Sequence, residues 1–130
     1  MLEIKPIQTK EEQKEICGLC GVEYDPDCLA YGAKENGKLL GVSQFRILGE
    51  YAVIYDLANS VGIDDLEALI IMGRATLNFI DLRGIKNAII KTENKNLPKI
   101  LGFKKDNDGV YKLNLDGYFE SPCQKNKITK

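Results

Sequence analysis

Two spacings of apolar residues recur along the chain, one typical of strands and one of helices. Residues 2–7, LEIKPI, alternate apolar and polar side chains and predict a first strand. A helix is predicted from about residue 10 to 20, because Thr9 can cap its N-terminus and Glu12 stands three residues later, as in a capping box. This helix should stop near Gly21.

A hairpin and a central strand are predicted next. Two apolar runs, residues 28–34 and 38–48, flank Asn36-Gly37, and this dipeptide is a strong hairpin signal because both turn residues need a positive φ. Residues 50–59, EYAVIYDLAN, predict a further strand that is apolar on both faces and therefore central in a sheet. By strict alternation, one of its faces should carry Tyr51, Val53, Tyr55 and Leu57.

A long buried helix is predicted over residues 64–83. Its apolar stripe, at a spacing of three to four, consists of Ile63, Leu66, Ile70, Gly73, Leu77 and Ile80. Gly73 costs about 1 kcal/mol in a helix interior, so we expect another element to approach the backbone closely there. Gly84 should end the helix, and residues 87–92 predict a strand. This β-α-β unit implies a parallel pair of strands.

The rest of the chain predicts a short helix and a hairpin. Asn96 should cap the helix, with Pro98 in its first turn and Gly102 at its end. A final hairpin should turn at NDG, residues 107–109. The whole pattern predicts an α+β fold in three layers, with a mixed, mostly antiparallel sheet around a central parallel pair. We expect one domain over 1–117 and a C-terminal tail over 118–130.

Composition and charge narrow the class of protein. The chain has 130 residues, a hydrophobic share of 44% and a net charge of −1, which predict one soluble domain and argue against nucleic-acid binding. No apolar run is long enough for a membrane span, and the N-terminus lacks the apolar core of a signal peptide. We therefore expect a cytoplasmic protein with no membrane partner.

Charge is unevenly distributed between the two halves of the chain. Residues 1–65 carry 12 acids and 6 bases, whereas residues 66–130 carry 7 acids and 12 bases. An anionic ligand would favour the second half. Mutual attraction between two oppositely charged halves explains the asymmetry equally well.

Four cysteines and no histidine limit the available chemistry. Without histidine, proton transfer must use a carboxylate, Tyr, Cys, Lys or water. Cys17-x-x-Cys20, with Cys28 and Cys123, allows a zinc site or a redox pair. Two paired zinc knuckles are missing, however, and the pair falls near the C-terminus of its helix, where the dipole opposes thiolate formation. We favour reduced structural thiols and predict no metal site.

The order of elements and two stretches of sequence resemble the GNAT superfamily of acyl-CoA-dependent N-acyltransferases. The order is strand, helix, three antiparallel strands, helix, strand, short helix and strand pair. The similar stretches are ENGKLLGVSQFRI followed by AVIYDLA, and RGIKNAIIKTEN followed by ILGFKKD. The resemblance covers residues 2 to about 117. It implies transfer of an acetyl group from acetyl-CoA to a small-molecule or peptide amine, by a monomer or homodimer.

The resemblance also implies a cofactor site between the central strand and the next parallel strand. The pantetheine arm would lie in the gap, and the pyrophosphate would bind amides at the start of the main helix. Lys95 and Lys99 would contact the nucleotide phosphates. The alternative for these two lysines is that they belong to an ordinary solvated helix face. The implied cofactor contacts are Leu57, Ala58, Asn59, Gly62, Ile63, Asp64, Asn94, Lys95 and Lys99.

Carboxylates supply the candidates for the remaining chemistry. Asp56 on the central strand is the candidate base by resemblance, and the alternative is a strand-end acid bonded to nearby backbone. The loop GVEYDPDC carries Glu23, Asp25 and Asp27, which point to a cationic amine acceptor. A solvated loop explains these three acids as well.

Two positions depart from the family pattern. The pyrophosphate loop, NSVGIDDLEA, keeps only Gly62 of the family glycines and has no basic residue. Asp64 or Asp65 would cap the helix by accepting from the amides that phosphate would use. Each such carboxylate weakens pyrophosphate binding by on the order of 1 kcal/mol. Pro98 stands where the family has the tyrosine that protonates the thiolate, so Tyr111 or water would have to act instead. Two functions stay open, an N-acetyltransferase and a non-catalytic GNAT-fold binding module that has lost cofactor binding.

Overall fold

The computed structural model describes residues 1–119, which form seven strands and three helices. The predicted tail beyond residue 119, with Cys123, lies outside the described residues. Within residues 1–119 no helix is long and apolar enough to cross a membrane. The elements are β1 (Leu2–Pro6), α1 (Lys10–Leu19), β2 (Leu29–Glu35), β3 (Lys38–Leu48), β4 (Tyr51–Asn59), α2 (Leu66–Leu82), β5 (Asn87–Ile90), α3 (Leu97–Leu101), β6 (Lys104–Lys105) and β7 (Tyr111–Asn114).

All seven strands form one mixed sheet, in the order β1-β2-β3-β4-β5-β7-β6. Neighbouring strands are antiparallel except β4 and β5, which are parallel and joined through α2. The predicted α+β fold with a central parallel pair is confirmed. The hairpin turn is confirmed too, because Asn36 and Gly37 have φ values of 53° and 81°.

Helices cover both faces of the sheet and create two cores. On one face, α1 packs Ile16, Cys17 and Cys20 against Val42 of β3. On the other face, α2 and α3 cover the larger core. Gly73 lies where α2 is in close contact with its neighbours, since a β-carbon there would stand 2.9 Å from Leu101 Cδ1 and 3.1 Å from Leu57 Cδ2. The predicted close approach at Gly73 is confirmed.

Helix caps agree with the sequence at α1 and differ at α3. The Glu12 amide donates to Thr9 Oγ1 at 3.1 Å, as predicted. Asn96 makes no side-chain cap bond, and that prediction is wrong. Its backbone is already helical, with φ −91° and ψ −28°. The Asn94 side chain caps α3 instead, since its Oδ1 accepts from the amides of Asn96 at 3.0 Å and Leu97 at 3.2 Å.

A β-bulge at Tyr55 interrupts the alternation of β4. Gln44 of β3 pairs with Asp56, but the next residue, Phe45, pairs with Ile54, so Tyr55 is the extra residue. Leu57 therefore joins Ala52 and Ile54 in the larger core. The prediction that strict alternation sorts this strand is wrong from Tyr55 onward, because the bulge exchanges the two faces.

Gly41 lies where β3 and β4 are in close contact. A β-carbon on Gly41 would stand 2.5 Å from the carbonyl oxygen of Ala58. Because the obstacle is backbone, the strands would have to separate, and we predict that Gly41→Ala lowers the free energy of unfolding by about 1–3 kcal/mol. Urea unfolding followed by circular dichroism measures this change.

Gly18→Ala is the control for this substitution. Gly18 lies in α1, and nothing lies within 4 Å of the point where a β-carbon would stand, so alanine should leave stability unchanged or raise it by up to about 1 kcal/mol. Equal losses of stability in the two variants would contradict the close approach at Gly41.

Candidate functional site

β4 and β5 separate after only four paired residues. Pairing runs from Tyr51 with Asn87 to Ile54 with Ile90, and a last bond joins the Lys91 amide to the Ile54 carbonyl at 2.8 Å. β4 continues to Asn59, bonded on its other side to β3. Beyond the bulge, β4 therefore has no strand partner on the β5 side among residues 1–119. Its backbone groups are left for solvent or a ligand.

A cleft of about 620 Å³ fills the gap between the separated strands. Its wall on the β5 side continues through Lys91, Thr92 and Glu93, and the end of α1 contributes Gly21 and Val22. Such a volume lies within the usual range for small-molecule sites. Five of the predicted site residues line the cleft, namely Asp56, Leu57, Ala58, Asn59 and Asn94.

Asn59 holds the turn that joins β4 to α2. Its Nδ2 donates to the carbonyls of Leu40 at 3.0 Å and Asp65 at 3.2 Å. Its Oδ1 accepts from the Asp65 amide at 3.1 Å. The side chain thus ties the turn to β3 and sets the position of Asp65, the residue that precedes the helix.

Asp65, rather than Asp64, caps α2. Asp65 Oδ1 accepts from the Ala68 amide at 3.0 Å, while Asp64 is exposed. The Ile63 amide donates to the Ser60 carbonyl at 2.9 Å. Among residues 1–119 the amides of Gly62, Asp64, Leu66 and Glu67 have no acceptor. Self-capping therefore uses one amide and leaves others at the helix start, where an anion is favoured.

Asp56 lies where the first cleft meets a second cavity. The second cavity, of about 490 Å³, is lined by the loop 23–26 together with Tyr55 and Asp56. Glu23, Tyr55 and Asp56 line both spaces. Because Tyr55 and Asp56 both line the two spaces, β4 supplies two functional groups to the junction. Strict alternation in the sequence gives no sign of the bulge, so Tyr55 was not among the predicted site residues.

Solved structures with a similar fold include N-acetyltransferases. The ribosomal-protein-S18-alanine N-acetyltransferase from Escherichia coli has a TM-score of 0.68 at 14% identity, over 88% of this chain and 94% of that chain. The PaiA N-acetyltransferase from Thermoplasma acidophilum, in complex with coenzyme A, has a TM-score of 0.67 at 12% identity, over 88% and 99%. The spermidine/spermine N-acetyltransferase SpeG from Vibrio cholerae has 0.69 at 10% identity, over 92% and 98%.

The chain has the GNAT fold. Identities this low describe the fold and not the activity. No family model matches the sequence, and neither does any curated protein.

Within the GNAT fold, the environment of Asp56 favours its neutral form. The carboxyl is half-buried, and burial raises its pKa above the ordinary value. A hydrogen bond of 2.8 Å from Gln44 Nε2 to Asp56 Oδ2 opposes this rise, whereas the charges of Asp25 and Glu23 add to it. A carboxylate with a raised pKa accepts a proton more readily, as a general base must.

The lysines and tyrosines in the C-terminal half are placed differently from one another. Lys95 and Lys99 are exposed and do not line the cleft, whereas Lys91 does, with its Nζ 5.3 Å from the Tyr55 ring centroid. Pro98 is buried in α3. Tyr111 of β7 pairs with Ile90 of β5 and does not line the cleft. Tyr55 is therefore the tyrosine that lines the cleft among residues 1–119.

The three cysteines among residues 1–119 are buried and unbridged. Burial, with a contribution from Asp56, raises the pKa of Cys17 to about 11. Burial likewise raises the pKa of Cys28 to about 12 and also raises the pKa of Cys20. Such thiols stay protonated at neutral pH and are poor nucleophiles and metal ligands. Residues 1–119 contain no group of three or more side chains that could hold a metal ion.

Asp56→Asn should separate the charge of Asp56 from its packing. The pKa of Asp56 is raised in the folded state, so its ionised form destabilises the fold at pH 7. Below the ordinary pKa of 3.8 the carboxyl is protonated in the folded and unfolded states, and this destabilisation is absent. We predict that the variant, which keeps the acceptor for Gln44, raises the free energy of unfolding by about 1 kcal/mol at pH 7. The gain should decline once the pH falls below the raised pKa and vanish below 3.8, where the carboxyl is protonated in both states. Urea unfolding at a series of pH values measures it.

Glu50→Gln serves as the control, because it neutralises an exposed carboxylate and should change little at any pH. If Asp56→Asn were less stable than the unmodified protein at pH 7, the charge of Asp56 would be serving the fold.

Proposed function

We propose that this protein is an N-acetyltransferase that transfers the acetyl group of acetyl-CoA to a cationic amine. The observation that carries the proposal is the position of Asp56 at the junction of two cavities, one in the strand gap and one beside an acidic loop. A transferase of this kind needs the donor and the acceptor to meet at a proton acceptor. Solved neighbours with the same fold contain coenzyme A or acetyl-CoA.

The first cleft and the segments that follow β4 and β5 along the chain offer groups suited to each part of the donor. The open edge of β4 at Leu57, Ala58 and Asn59 supplies backbone groups for the amide-containing pantetheine arm. The unpaired amides of the turn and helix start supply donors for a pyrophosphate. Gly62 has a φ of 86°, and nothing lies within 4 Å of the point where a β-carbon would stand. A ligand can therefore approach the backbone there. In this proposal Asn94, Lys95 and Lys99 remain contacts for the nucleotide end.

Asp56 and Tyr55 supply the proton transfers. Acetyl-CoA brings a thioester, and the reaction forms the C–N bond of the product amide while the C–S bond breaks. A cationic amine must first lose one proton to expose the lone pair of its nitrogen, and Asp56 takes that proton, directly or through one water. The nitrogen loses its second proton as the amide forms, and this proton replaces the one that the leaving thiolate receives. Tyr55, which lines the same cleft, is the side chain we assign to protonating the thiolate, in place of the family tyrosine at the position of Pro98.

The second cavity favours an acceptor that carries positive charge. Glu23 and Asp25 line it together with Asp56, so three acidic residues border one space. Tyr24 and Tyr55 add aromatic surfaces that attract cations. A compact diamine or polyamine, or a basic peptide amine, fits this chemistry better than a neutral amine does.

The second candidate function is a binding module with the GNAT fold that does not bind the cofactor. Two observations favour it. The Asp65 carboxylate caps α2 by accepting from the Ala68 amide, a group that a phosphate would otherwise bind. Asp64 adds a second negative charge, and the turn contains no basic residue. Pro98 occupies the position of the family tyrosine and is buried.

Titration of acetyl-CoA by calorimetry at low salt separates these two functions. We predict micromolar binding by the unmodified protein. Asp64→Asn should tighten binding by about two- to fivefold, because it removes a negative charge at the helix start without touching the cap. Asp65→Asn should do the same, since asparagine also caps helices.

Asp108→Asn is the matched control, since it neutralises an exposed carboxylate in the turn before β7 and should not change the affinity. If the unmodified protein is silent but the Asp64→Asn, Asp65→Asn double variant binds, the helix has capped itself against the cofactor. Silence from every variant would support the binding module.

The choice of acceptor is tested by comparing amines of different charge. We predict that spermidine or a diamine is acetylated in preference to a neutral amine of similar length. Glu23→Gln should raise the KM for the charged acceptor by about tenfold and leave the KM for acetyl-CoA unchanged. Steady-state assays that detect free thiol provide both values.

Asp27→Asn is the matched control for Glu23→Gln. Asp27 belongs to the same loop and is exposed, but it does not line the second cavity. Equal effects of the two substitutions would show that only the general charge of the loop attracts the acceptor.

A further inference from the structure

Gln44 of β3 is a buried polar side chain with every hydrogen-bonding position occupied. Its relative exposure is 0%. Its Oε1 accepts from Gln13 Nε2 at 2.9 Å and from the Asp25 amide at 3.1 Å. Its Nε2 donates to the Glu23 carbonyl at 2.9 Å and to Asp56 Oδ2 at 2.8 Å. Full satisfaction of a buried amide gives one strongly preferred orientation.

The backbone partners set the direction of this amide. The Asp25 amide can only donate and the Glu23 carbonyl can only accept, so the Gln44 oxygen must face the first and its nitrogen the second. A reversed side-chain amide would leave both part-buried backbone groups without a partner. The Gln44 nitrogen is therefore the group that points at Asp56.

The network continues away from Asp56 into α1. Gln13, which is 2% exposed, also donates from Nε2 to the Asp25 carbonyl at 3.2 Å and the Cys28 carbonyl at 3.3 Å. Lys10 Nζ donates to Gln13 Oε1 at 3.1 Å and to the Cys28 carbonyl at 2.6 Å. One chain of bonds thus connects α1, the loop 23–28, β3 and the carboxylate on β4.

We propose that Gln44 is a positioning residue for the proton acceptor. By holding Asp56 Oδ2 and both ends of the segment from Glu23 to Asp25, it fixes the carboxylate relative to the loop that borders the acceptor cavity. Asp56 Oδ1 has no protein partner in residues 1–119 and is the oxygen that takes the proton of the amine. The catalytic part of this inference rests on the proposed function, whereas the positioning part does not.

The charged surroundings of Asp56 predict what happens when Gln44 is removed. Glu23 and Asp25 of the loop repel its charge. Cys17 of α1 and Cys28 also interact with it electrostatically. Gln44 supplies the hydrogen bond that favours the ionised form against burial and against these carboxylates. Without that bond, the pKa of Asp56 should rise further.

The experiment is a pH titration of the Asp56 carboxyl carbon by ¹³C NMR in the protein without ligand. Asp56→Asn identifies the resonance. We expect Gln44→Leu to move the titration midpoint upward. Gln44→Glu has the same shape and keeps both acceptor bonds of Oε1, but places a second carboxylate beside Asp56. The pair should then titrate in two steps, the higher one above the midpoint of the unmodified protein.

Ser43→Ala is the control for a merely structural role. Ser43 is the preceding residue of β3, equally buried, and its hydroxyl bonds Thr76 Oγ1 at 2.9 Å on the opposite face of the sheet. This variant loses a buried hydrogen bond and should lose stability, but it should not move the Asp56 titration. A shift of equal size in Ser43→Ala would overturn the proposal.

Acetyl transfer gives a second readout. In Gln44→Leu we expect kcat to fall about tenfold with the KM for acetyl-CoA unchanged, and the acidic limb of the pH profile to move upward with the NMR midpoint. An unchanged midpoint in Gln44→Leu would overturn the proposal. If Gln44→Leu does not fold, the test is the upper of the two titration steps in Gln44→Glu. The proposal is overturned if the midpoint of that step does not exceed the midpoint of the unmodified protein. Absence of transfer by the unmodified protein counts against the proposed function alone, because the titration still judges Gln44.

Discussion

The separation of two parallel strands is the constraint on which the site depends. β4 keeps its bonds to β3 along its whole length but loses β5 after Ile54, so the backbone of Leu57 to Asn59 has ladder partners on one side only. Unpaired backbone groups cannot be buried without cost, so this edge must face water or a ligand. The bulge at Tyr55 lies at the same place: beyond it Leu57 packs in the larger core, while Tyr55 and Asp56 line the open space.

At the start of α2, a carboxylate and an anionic ligand would compete for the same amides. Asp65 satisfies the Ala68 amide and stabilises the helix in the absence of a ligand. It does not reach the amides of Leu66 and Glu67, which remain without an acceptor in the part of the chain that the structure describes. Its effect on a pyrophosphate is therefore mainly the repulsion between charges, a modest and salt-dependent term. Self-capping and cofactor binding can coexist at this helix.

Local chemistry explains which parts of this structure the sequence predicts. Asn36-Gly37 and Thr9 act within a few residues, and Gly73 signals a close neighbour because glycine is otherwise costly in a helix. The bulge at Tyr55 depends on the register with β3, which no short pattern in β4 encodes. Gln44 was missed for a similar reason, since a polar residue in a strand normally indicates a solvated face. Asn94 caps α3 in place of Asn96, because the backbone of Asn96 is already helical and the sequence pattern does not indicate this.

The buried network around Gln44 explains why polar residues are retained inside this face of the sheet. An apolar residue would fill the space without needing four partners, but it would leave the Asp25 amide and the Glu23 carbonyl unsatisfied. The same amide holds Asp56, whose burial opposes ionisation. Burial thus opposes the ionisation of this carboxyl group, whereas the proposed function requires it, and the Gln44 amide bears on both. It completes the loop that closes the second cavity, and it keeps Asp56 ionisable at the point where that cavity meets the strand gap.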